Sequence, residues 1–115
     1  MTLRDDVGRM RDMLEYTREA VEICRGLSRT DLDRDRKLNL ALVRLLTIIG
    51  EAASRISHEK RAETPEISWS HVIGMRNRLI HAYEEVDLDV VWDVVRDDLP
   101  SLITALERVL GETGT

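Results

Sequence analysis

The sequence predicts an all-α protein, an up-and-down bundle of four to five helices, on three observations. The chain has no Phe and only two Trp and two Tyr, so its core must come from Leu, Ile, Val, Ala and Met, as in helix bundles. Apolar residues recur at spacings of three and four in several long segments, the period of an amphipathic helix. A length of 115 residues suits one domain with a single core. We expect residues 1–111 to form that domain and residues 112–115 to be a flexible tail.

Charge and composition exclude several classes of protein. With 17 basic and 22 acidic residues the net charge is −5, which disfavours extensive non-specific binding to nucleic acid but allows a small local basic site. No stretch approaches the roughly 18 apolar residues of a membrane span, and the first ten residues are too polar for a signal peptide. We therefore expect a cytoplasmic protein that does not bind membranes. The single cysteine, Cys24, cannot form an internal disulfide, and its place on an apolar stripe predicts burial.

The first predicted helix runs from Leu3 to Cys24. Thr2 is its expected N-cap, Asp5 and Asp6 lie in its first turn, and Gly26 is a plausible stop. Alternating steps of four and three form a heptad-like stripe suited to helix packing. The stripe consists of Leu3, Val7, Met10, Leu14, Thr17, Val21 and Cys24.

The second predicted helix, roughly residues 34–57, has the widest apolar face and should be central in the bundle. Small residues at Gly50, Ala52 and Ala53 should allow another helix to approach closely. Glu51 lies within that patch, either as an exposed edge residue or as the partner of a buried Arg. The apolar stripe consists of Leu38, Leu42, Leu45, Ile49, Ala52 and Ile56, widened by Ala41, Leu46, Ile48 and Ala53.

Two polar segments are predicted as connections. Residues 28–35 are rich in Asp and Arg and should be exposed, and residues 58–66 contain Pro65 and should form a loop. A third helix is expected from Trp69, capped by Ser68 and fading near Tyr83.

Asp87 should cap a fourth helix that begins at about Leu88. Residues 86–95 are rich in Val and are also compatible with a strand, but their apolar residues recur at three and four, which favours a helix. Pro100 should kink or divide this helix. Its apolar face consists of Val91, Val94, Val95, Leu99, Leu102, Ile103, Leu106, Val109 and Leu110.

Unlike reactive groups gather only at the end of the third predicted helix. Arg76 is suited to a phosphate, because its planar fork donates two parallel hydrogen bonds and keeps its charge. His81 titrates near neutral pH and can act as a general acid or base. Asn77 could orient the imidazole ring or donate to a phosphate oxygen, and Tyr83 could donate, stack on a base or be modified.

Helical geometry limits how these groups can meet. Arg76 and His81 would point about 140° apart on an ideal helix. They converge only if the helix loosens near His81 or if a second copy of the chain supplies the missing face. From spacing alone, the favoured interpretation is an ordinary amphipathic helix whose Arg and His contact acidic neighbours such as Glu84 or Asp87, because a single Arg-x4-His match is a weak pattern.

Other kinds of site have weaker support. His58 and His71 lack Cys or carboxylate partners at metal-ligand spacing, so we predict no metal site. The sequence contains no Gly-rich phosphate loop and no serine nucleophile motif. No cofactor is predicted.

Three blocks of the sequence resemble a known family. Residues 76–83, RNRLIHAY, resemble the Arg-x4–6-His motif of HEPN proteins, in the Arg-x4-His-x-Tyr form of the HepT-like family. Residues 48–57, 65–83 and 86–100 resemble HepT blocks in the expected order, so the resemblance covers nearly the whole chain.

The resemblance implies a HEPN-like helical bundle that forms a homodimer, with two such motifs meeting in a cleft. It implies metal-independent RNA cleavage by the toxin of a type VII toxin–antitoxin system. Arg76 would hold the scissile phosphate, His81 would move protons and Asn77 would support the geometry. Tyr83 matches the tyrosine to which a minimal nucleotidyltransferase antitoxin (MntA-like) attaches AMP.

The sequence departs from the family pattern at two positions and leaves an alternative function open. Glu84 stands where we expect an aromatic residue and Ser68 where we expect Pro, and Glu84 could weaken affinity for RNA. The alternative is a non-catalytic helical subunit that binds nucleotide or docks a nucleotidyltransferase, supported by the acidic net charge and Glu84. An inert structural dimer would show neither activity. RNA cleavage separates the first hypothesis from the other two.

Overall fold

Eight α-helices and one π-helical turn follow one another in the computed structural model of the chain, which describes residues 3–80 and 85–111. Within those ranges there is no strand, only an isolated antiparallel bridge between Ile80 and Val86. The predicted all-α class is confirmed. The helices are α1 Leu3–Ile23, α2 Arg29–Arg34, α3 Arg36–Ser54, α4 His58–Glu63, α5 Trp69–Ile73, α6 Met75–Leu79, α7 Leu88–Asp93 and α8 Leu99–Leu110, with the π-helical turn at Val94–Asp98.

The helix α3 is central, as its broad apolar face predicts. It packs against α1, α2, α5, α6 and α7, and α1 also packs against α8. None of the helices in the described part of the chain is long and apolar enough to cross a membrane. The most deeply buried core side chains are Met10, Met13, Leu14, Leu32, Leu42, Leu46, Ile49, Met75, Leu79, Val91, Leu99 and Leu106.

Most of the stripe predicted for α1 faces the core. Cys24 is buried as expected, and burial raises the pKa of its thiol. The turn after the helix contains Gly26 in the left-handed conformation, with φ +76°. Met13 and Ala20, which were not part of the predicted stripe, are also buried. The expected N-cap, Thr2, lies outside the described residues, as does the predicted tail at 112–115.

A buried carboxylate near the start of α1 ties two parts of the fold together. Asp6 is 1% exposed, and it accepts hydrogen bonds from Ser57 N at 3.0 Å and Ser57 Oγ at 2.6 Å. Burial by itself raises the pKa of Asp6, but the Ser57 bonds outweigh it and hold the pKa below its ordinary value. The same Ser57 hydroxyl accepts from Lys60 N and caps α4. Asp6 thus links α1 to the turn between α3 and α4.

Both predicted connections contain helices, so the loop predicted at residues 58–66 was wrong. Residues 28–35 are mostly exposed, as predicted. Within residues 28–35 the helix is Arg29–Arg34, before which the Ser28 amide donates to the Asp31 carboxylate at 2.6 Å, and Leu32 is buried. Residues 58–63 form α4, whose first turn is capped by the Ser57 side chain, which accepts a hydrogen bond from the amide of Lys60. A short polar segment contains too few apolar residues to show a helical spacing. A helix of one or two turns with a single buried apolar residue therefore cannot be distinguished from a loop by sequence alone.

The small-residue patch on α3 works as predicted. A Cβ on Gly50 would lie 3.2 Å from the carbonyl oxygen of Val72, so α5 approaches α3 at a distance that glycine permits. Glu51 is exposed at the edge of this contact, the first of its two expected roles. Ala41 is exposed rather than part of the apolar stripe, so that prediction was wrong. The helix begins at Arg36, where Asp35 accepts from Leu38 N at 3.1 Å.

The third predicted helix is not continuous to Tyr83, and that prediction was also wrong. It is divided at Gly74 into α5 and α6, and α6 ends at Leu79. Ile80 is extended, with φ −115° and ψ 123°, and pairs with Val86. The amide of Asp87 donates to the carbonyl oxygen of Leu79 at 2.8 Å. This pairing replaces the helical hydrogen bonds that a longer α6 would need.

The last helical segment begins where Asp87 was predicted to cap it. The Asp87 carboxylate accepts from the amides of Asp89 and Val90. The Val-rich segment is helical from Leu88, and the irregularity expected at Pro100 takes the form of the π-helical turn directly before it. Pro100 itself lies in the first turn of α8, where a missing amide proton is tolerated.

Candidate active site

The structure describes the first half of the Arg-x4-His-x-Tyr segment. Arg76 and Asn77 are exposed and adjacent on the short helix α6. The helix ends at Leu79 and Ile80 continues in an extended conformation. His81 and Tyr83, together with Glu84, lie outside the described residues. The two ends of the intervening segment are fixed, since Ile80 is bridged to Val86.

Arg76 lines a groove along the central helix, which we call the α3 groove. One wall is the face of α3 that runs from Arg36 to Glu51, and the opposite side is formed by Arg76, Ile80 and the segment leading into α7. Its volume of about 790 Å³ is that of a ligand site. The groove is therefore the part of the described surface where Arg76 can meet a substrate.

The α3 groove combines positive charge with an exposed apolar side chain. Three guanidinium groups line it, from Arg36, Arg44 and Arg76, against the two carboxylates of Glu51 and Glu85. Leu40, between the two arginines of α3, is 52% exposed. Local positive charge of this kind is compatible with the acidic net charge of the chain. Arg36 and Arg44 were not singled out from the sequence, because solvated helix faces commonly carry arginine.

Asn77 lies on the other side of α6 and does not enter the α3 groove. It lines a second, shallower groove together with His71, Arg78 and Asp98. Successive residues on a helix point about 100° apart, so adjacent Arg76 and Asn77 serve different surfaces. The structure thus separates two of the four predicted site residues.

The second groove contains an ion-pair cluster that the sequence did not reveal. His71 Nε2 lies 2.9 Å from Asp98 Oδ2, and Arg78 Nη2 lies 3.4 Å from the same oxygen. The sequence predicted no partner for His71, because Asp98 is 27 residues away and no short spacing links them. Among the residues that the structure describes, no group of three His, Cys, Asp or Glu side chains is arranged to hold a metal ion.

Comparisons with known proteins point to one family. The family described as "Ribonuclease HepT-like" matches residues 13–109. A protein of Thermococcus cleftensis named "Probable ribonuclease HepT" is 39% identical over 103 residues, which cover 86% of this chain and 94% of that protein. A Methanocaldococcus jannaschii protein named as a candidate RNase is 30% identical over 109 residues, covering 95% of this chain and 100% of the relative.

A third relative is also named as an RNase. A candidate RNase of Caldanaerobacter subterraneus is 33% identical over 90 residues, covering 78% of this chain and 80% of that protein. No solved structure gives a significant match.

Proposed function

The chain belongs to the HepT-like ribonuclease family, and from that membership we propose that it is a metal-independent endoribonuclease with Arg76 and His81 as its catalytic residues. The names of three relatives from three organisms, each matched over most of its length, support ribonuclease activity. The Arg-x4-His-x-Tyr segment gathers the reactive groups that such a reaction needs.

The observation that carries the proposal is the early end of α6. On a continuous helix Arg76 and His81 would point about 140° apart and could not act on one phosphate. Helix α6 ends at Leu79 and Ile80 is extended, so the helical constraint is released one residue before His81. Arg76 still lies on the helix and lines the α3 groove. The loosening that convergence requires is therefore present in the described residues.

The proposed reaction uses the 2′-hydroxyl of the RNA as nucleophile. His81 accepts the proton of that hydroxyl, and the oxygen attacks the adjacent phosphorus. The bond from phosphorus to the 5′-oxygen of the next nucleotide breaks, and this oxygen takes a proton from solvent. The products are a 2′,3′-cyclic phosphate and a 5′-hydroxyl. Arg76 donates hydrogen bonds to the phosphate oxygens on which charge accumulates.

We further propose that the active form is a homodimer whose two motifs face one cleft. A second copy would supply the face that one motif helix cannot present, since Arg76 and His81 would point about 140° apart on a continuous helix. Sedimentation at several concentrations should show a dimer, and cleavage per chain should fall when dilution dissociates it. A monomer with undiminished activity per chain would contradict the dimeric site.

The biological proposal is a cytoplasmic toxin neutralised by a nucleotidyltransferase antitoxin that AMPylates Tyr83. An adenylyl group would place bulk and negative charge where an RNA phosphate must bind. Co-expression with such an enzyme should add the mass of one adenylyl group and stop cleavage. The chain has two tyrosines, so Tyr16→Phe is the matched control, which should still be modified while Tyr83→Phe should not. Modification of Tyr83→Phe would contradict the assignment.

The decisive test of the activity is cleavage of single-stranded RNA in EDTA. We expect the wild-type protein to cut RNA, and Arg76→Ala and His81→Ala each to reduce the rate by about 10³-fold or more. His58→Ala and Arg108→Ala are matched controls, since both residues are exposed and lie outside the α3 groove. Unchanged cleavage by either motif variant would remove that residue from the mechanism.

The two carboxylates in the α3 groove favour the alternative function to some degree. Glu51 and Glu85 would repel RNA phosphates, whereas a docking subunit could use them to bind a basic partner. If the protein forms a stable complex with a nucleotidyltransferase and never cuts RNA, the non-catalytic subunit is the correct interpretation.

A further inference from the structure

Helix α3 presents a row of side chains to the groove that contains Arg76. Arg36, Leu40 and Arg44 are spaced four residues apart, so they lie on one side of the helix and all line the α3 groove. Arg36 and Arg44 are eight positions apart, which corresponds to about 12 Å along the helix axis. The two guanidinium groups are therefore spaced to hold separate anionic groups, with an apolar surface between them.

These two arginines differ from most others in the chain. Arg29 and Arg78 pair with carboxylates from distant segments, and Arg96 pairs with its neighbours. Within residues 3–80 and 85–111, Arg36 and Arg44 form neither an ion pair nor a side-chain hydrogen bond. The chain has more acidic than basic residues, so carboxylates for ion pairs are not scarce. The guanidinium groups of Arg36 and Arg44 nevertheless pair with no described residue and can bind an anion.

A buried amide between the arginines is a second and independent observation. Asn39 lines the same groove and is only 9% exposed. Its side-chain amide forms no hydrogen bond with any residue of the described part of the chain. The nearby hydroxyl of Thr47 is satisfied, because it donates to the carbonyl oxygen of Val43 at 2.7 Å. The amide atoms of Asn39 are not among the fully buried, unpartnered side-chain atoms of the described residues, so they reach the groove, where a ligand can form hydrogen bonds with them.

We propose that Arg36, Asn39 and Arg44 form a binding subsite for the RNA strand beside Arg76. The two guanidiniums bind backbone phosphates that flank the scissile one, and the amide of Asn39 hydrogen-bonds the sugar or base held between them. Leu40 offers its exposed apolar side chain to that base. The subsite rests on the proposed ribonuclease function and adds to it the path that the strand takes along α3.

The test measures binding of single-stranded RNA with methylated 2′-hydroxyls, which the proposed reaction cannot cut. For a single strand, the slope of log affinity against log salt changes by about 0.7 for each phosphate contact. The double variant Arg36→Ala/Arg44→Ala should weaken binding about tenfold or more and make the slope shallower by about 1.4, two contacts at about 0.7 each. Asn39→Ala should weaken binding without changing the slope, because the amide is uncharged.

The matched control is Arg55→Ala/Arg108→Ala, which removes the same charge from exposed arginines outside the groove. If the groove variant and this control bind RNA alike, while the wild-type protein cuts RNA, the subsite is wrong and the ribonuclease function stands. If the wild-type protein binds RNA with the predicted slopes but does not cut it, the subsite stands and the ribonuclease function fails. If the groove variant changes only the dimer in sedimentation and not the affinity for RNA, the α3 groove is a protein interface and the subsite is wrong.

Discussion

The grooves on the two sides of α6 differ in how their arginines are paired. On one side Arg76 lines the α3 groove, where Arg36 and Arg44 pair with no described residue. On the other side Arg78 and His71 both contact Asp98. The paired side joins α5 and α6, across the break at Gly74, to the π-helical turn. The contrast indicates that the charges around Asp98 hold the motif helix in place, while Arg36 and Arg44 are available to a ligand.

A stability series can sharpen this contrast, because the free energy of unfolding should depend on how buried and how well paired each charge is. The largest effect is expected at the buried carboxylate of Asp6, which accepts two hydrogen bonds from Ser57. Asp6→Ala should lower the free energy of unfolding by about 2 kcal/mol, measured by urea denaturation. Asp12→Ala, at an exposed position of the same helix, should change it by less than about 0.5 kcal/mol. Equal effects of the two would show that the Ser57 bonds do not stabilise the fold.

The same residue predicts a pH dependence. The pKa of Asp6 is lower in the folded protein than its ordinary value of 3.8, so its contribution is fully present above that value. It is lost as the pH falls through the lower, folded pKa, because the folded carboxylate must then accept a proton. The free energy of unfolding of Asp6→Asn should therefore be lower than that of the wild-type protein at neutral pH. Below about pH 4 it should fall less steeply with decreasing pH than the wild-type value does. A wild-type curve parallel to that of the variant would contradict the lowered pKa.

An intermediate loss of stability is expected for a substitution at Asp98, which is partly exposed. Asp98→Ala removes the common partner of His71 and Arg78 and should cost about 1 kcal/mol. Asp97→Ala is the matched control, because Asp97 is exposed and, within the described residues, its carboxylate forms hydrogen bonds only with the adjacent Arg96; it should cost less than about 0.5 kcal/mol. Thermal unfolding of both variants measures the difference. If Asp98→Ala is as stable as the control, the cluster does not hold α5 and α6 together.

The smallest effect on stability is expected in the α3 groove. Arg36→Ala/Arg44→Ala removes exposed side chains without described partners, and Ala favours a helix, so the free energy of unfolding should stay within about 0.5 kcal/mol of the wild-type value. Urea denaturation of the purified variant measures it. A loss as large as that of Asp98→Ala would show that these arginines stabilise the fold, which would abolish the contrast between the two sides of α6.

The parts of the fold that depend on long periodic stripes could be predicted from the sequence. The all-α class, the central position of α3, the close approach at Gly50 and the cap at Asp87 all follow from local patterns. The short helices α2 and α4 could not be predicted, since a single capped turn has no period. The end of α6 at Leu79 also escaped prediction, because it depends on the antiparallel bridge between Ile80 and Val86.

The candidate site shows the same division. The Arg-x4-His-x-Tyr segment is visible in the sequence because its reactive groups are adjacent in the chain. The groove residues Arg36, Asn39 and Arg44 are 32 or more positions before Arg76, so only the packing of α3 against α6 brings them to its side. The separation of Asn77 from Arg76 likewise depends on which neighbours each face of α6 meets.

The central claim is that RNA is cut by its own 2′-hydroxyl, without a metal ion, at Arg76 and His81. Analysis of the product ends after cleavage in EDTA tests it most directly. We predict a 2′,3′-cyclic phosphate on the upstream fragment and a 5′-hydroxyl on the downstream fragment, with no cut at a nucleotide whose 2′-hydroxyl is methylated. A 3′-hydroxyl end, or cleavage that requires added magnesium, would contradict the mechanism.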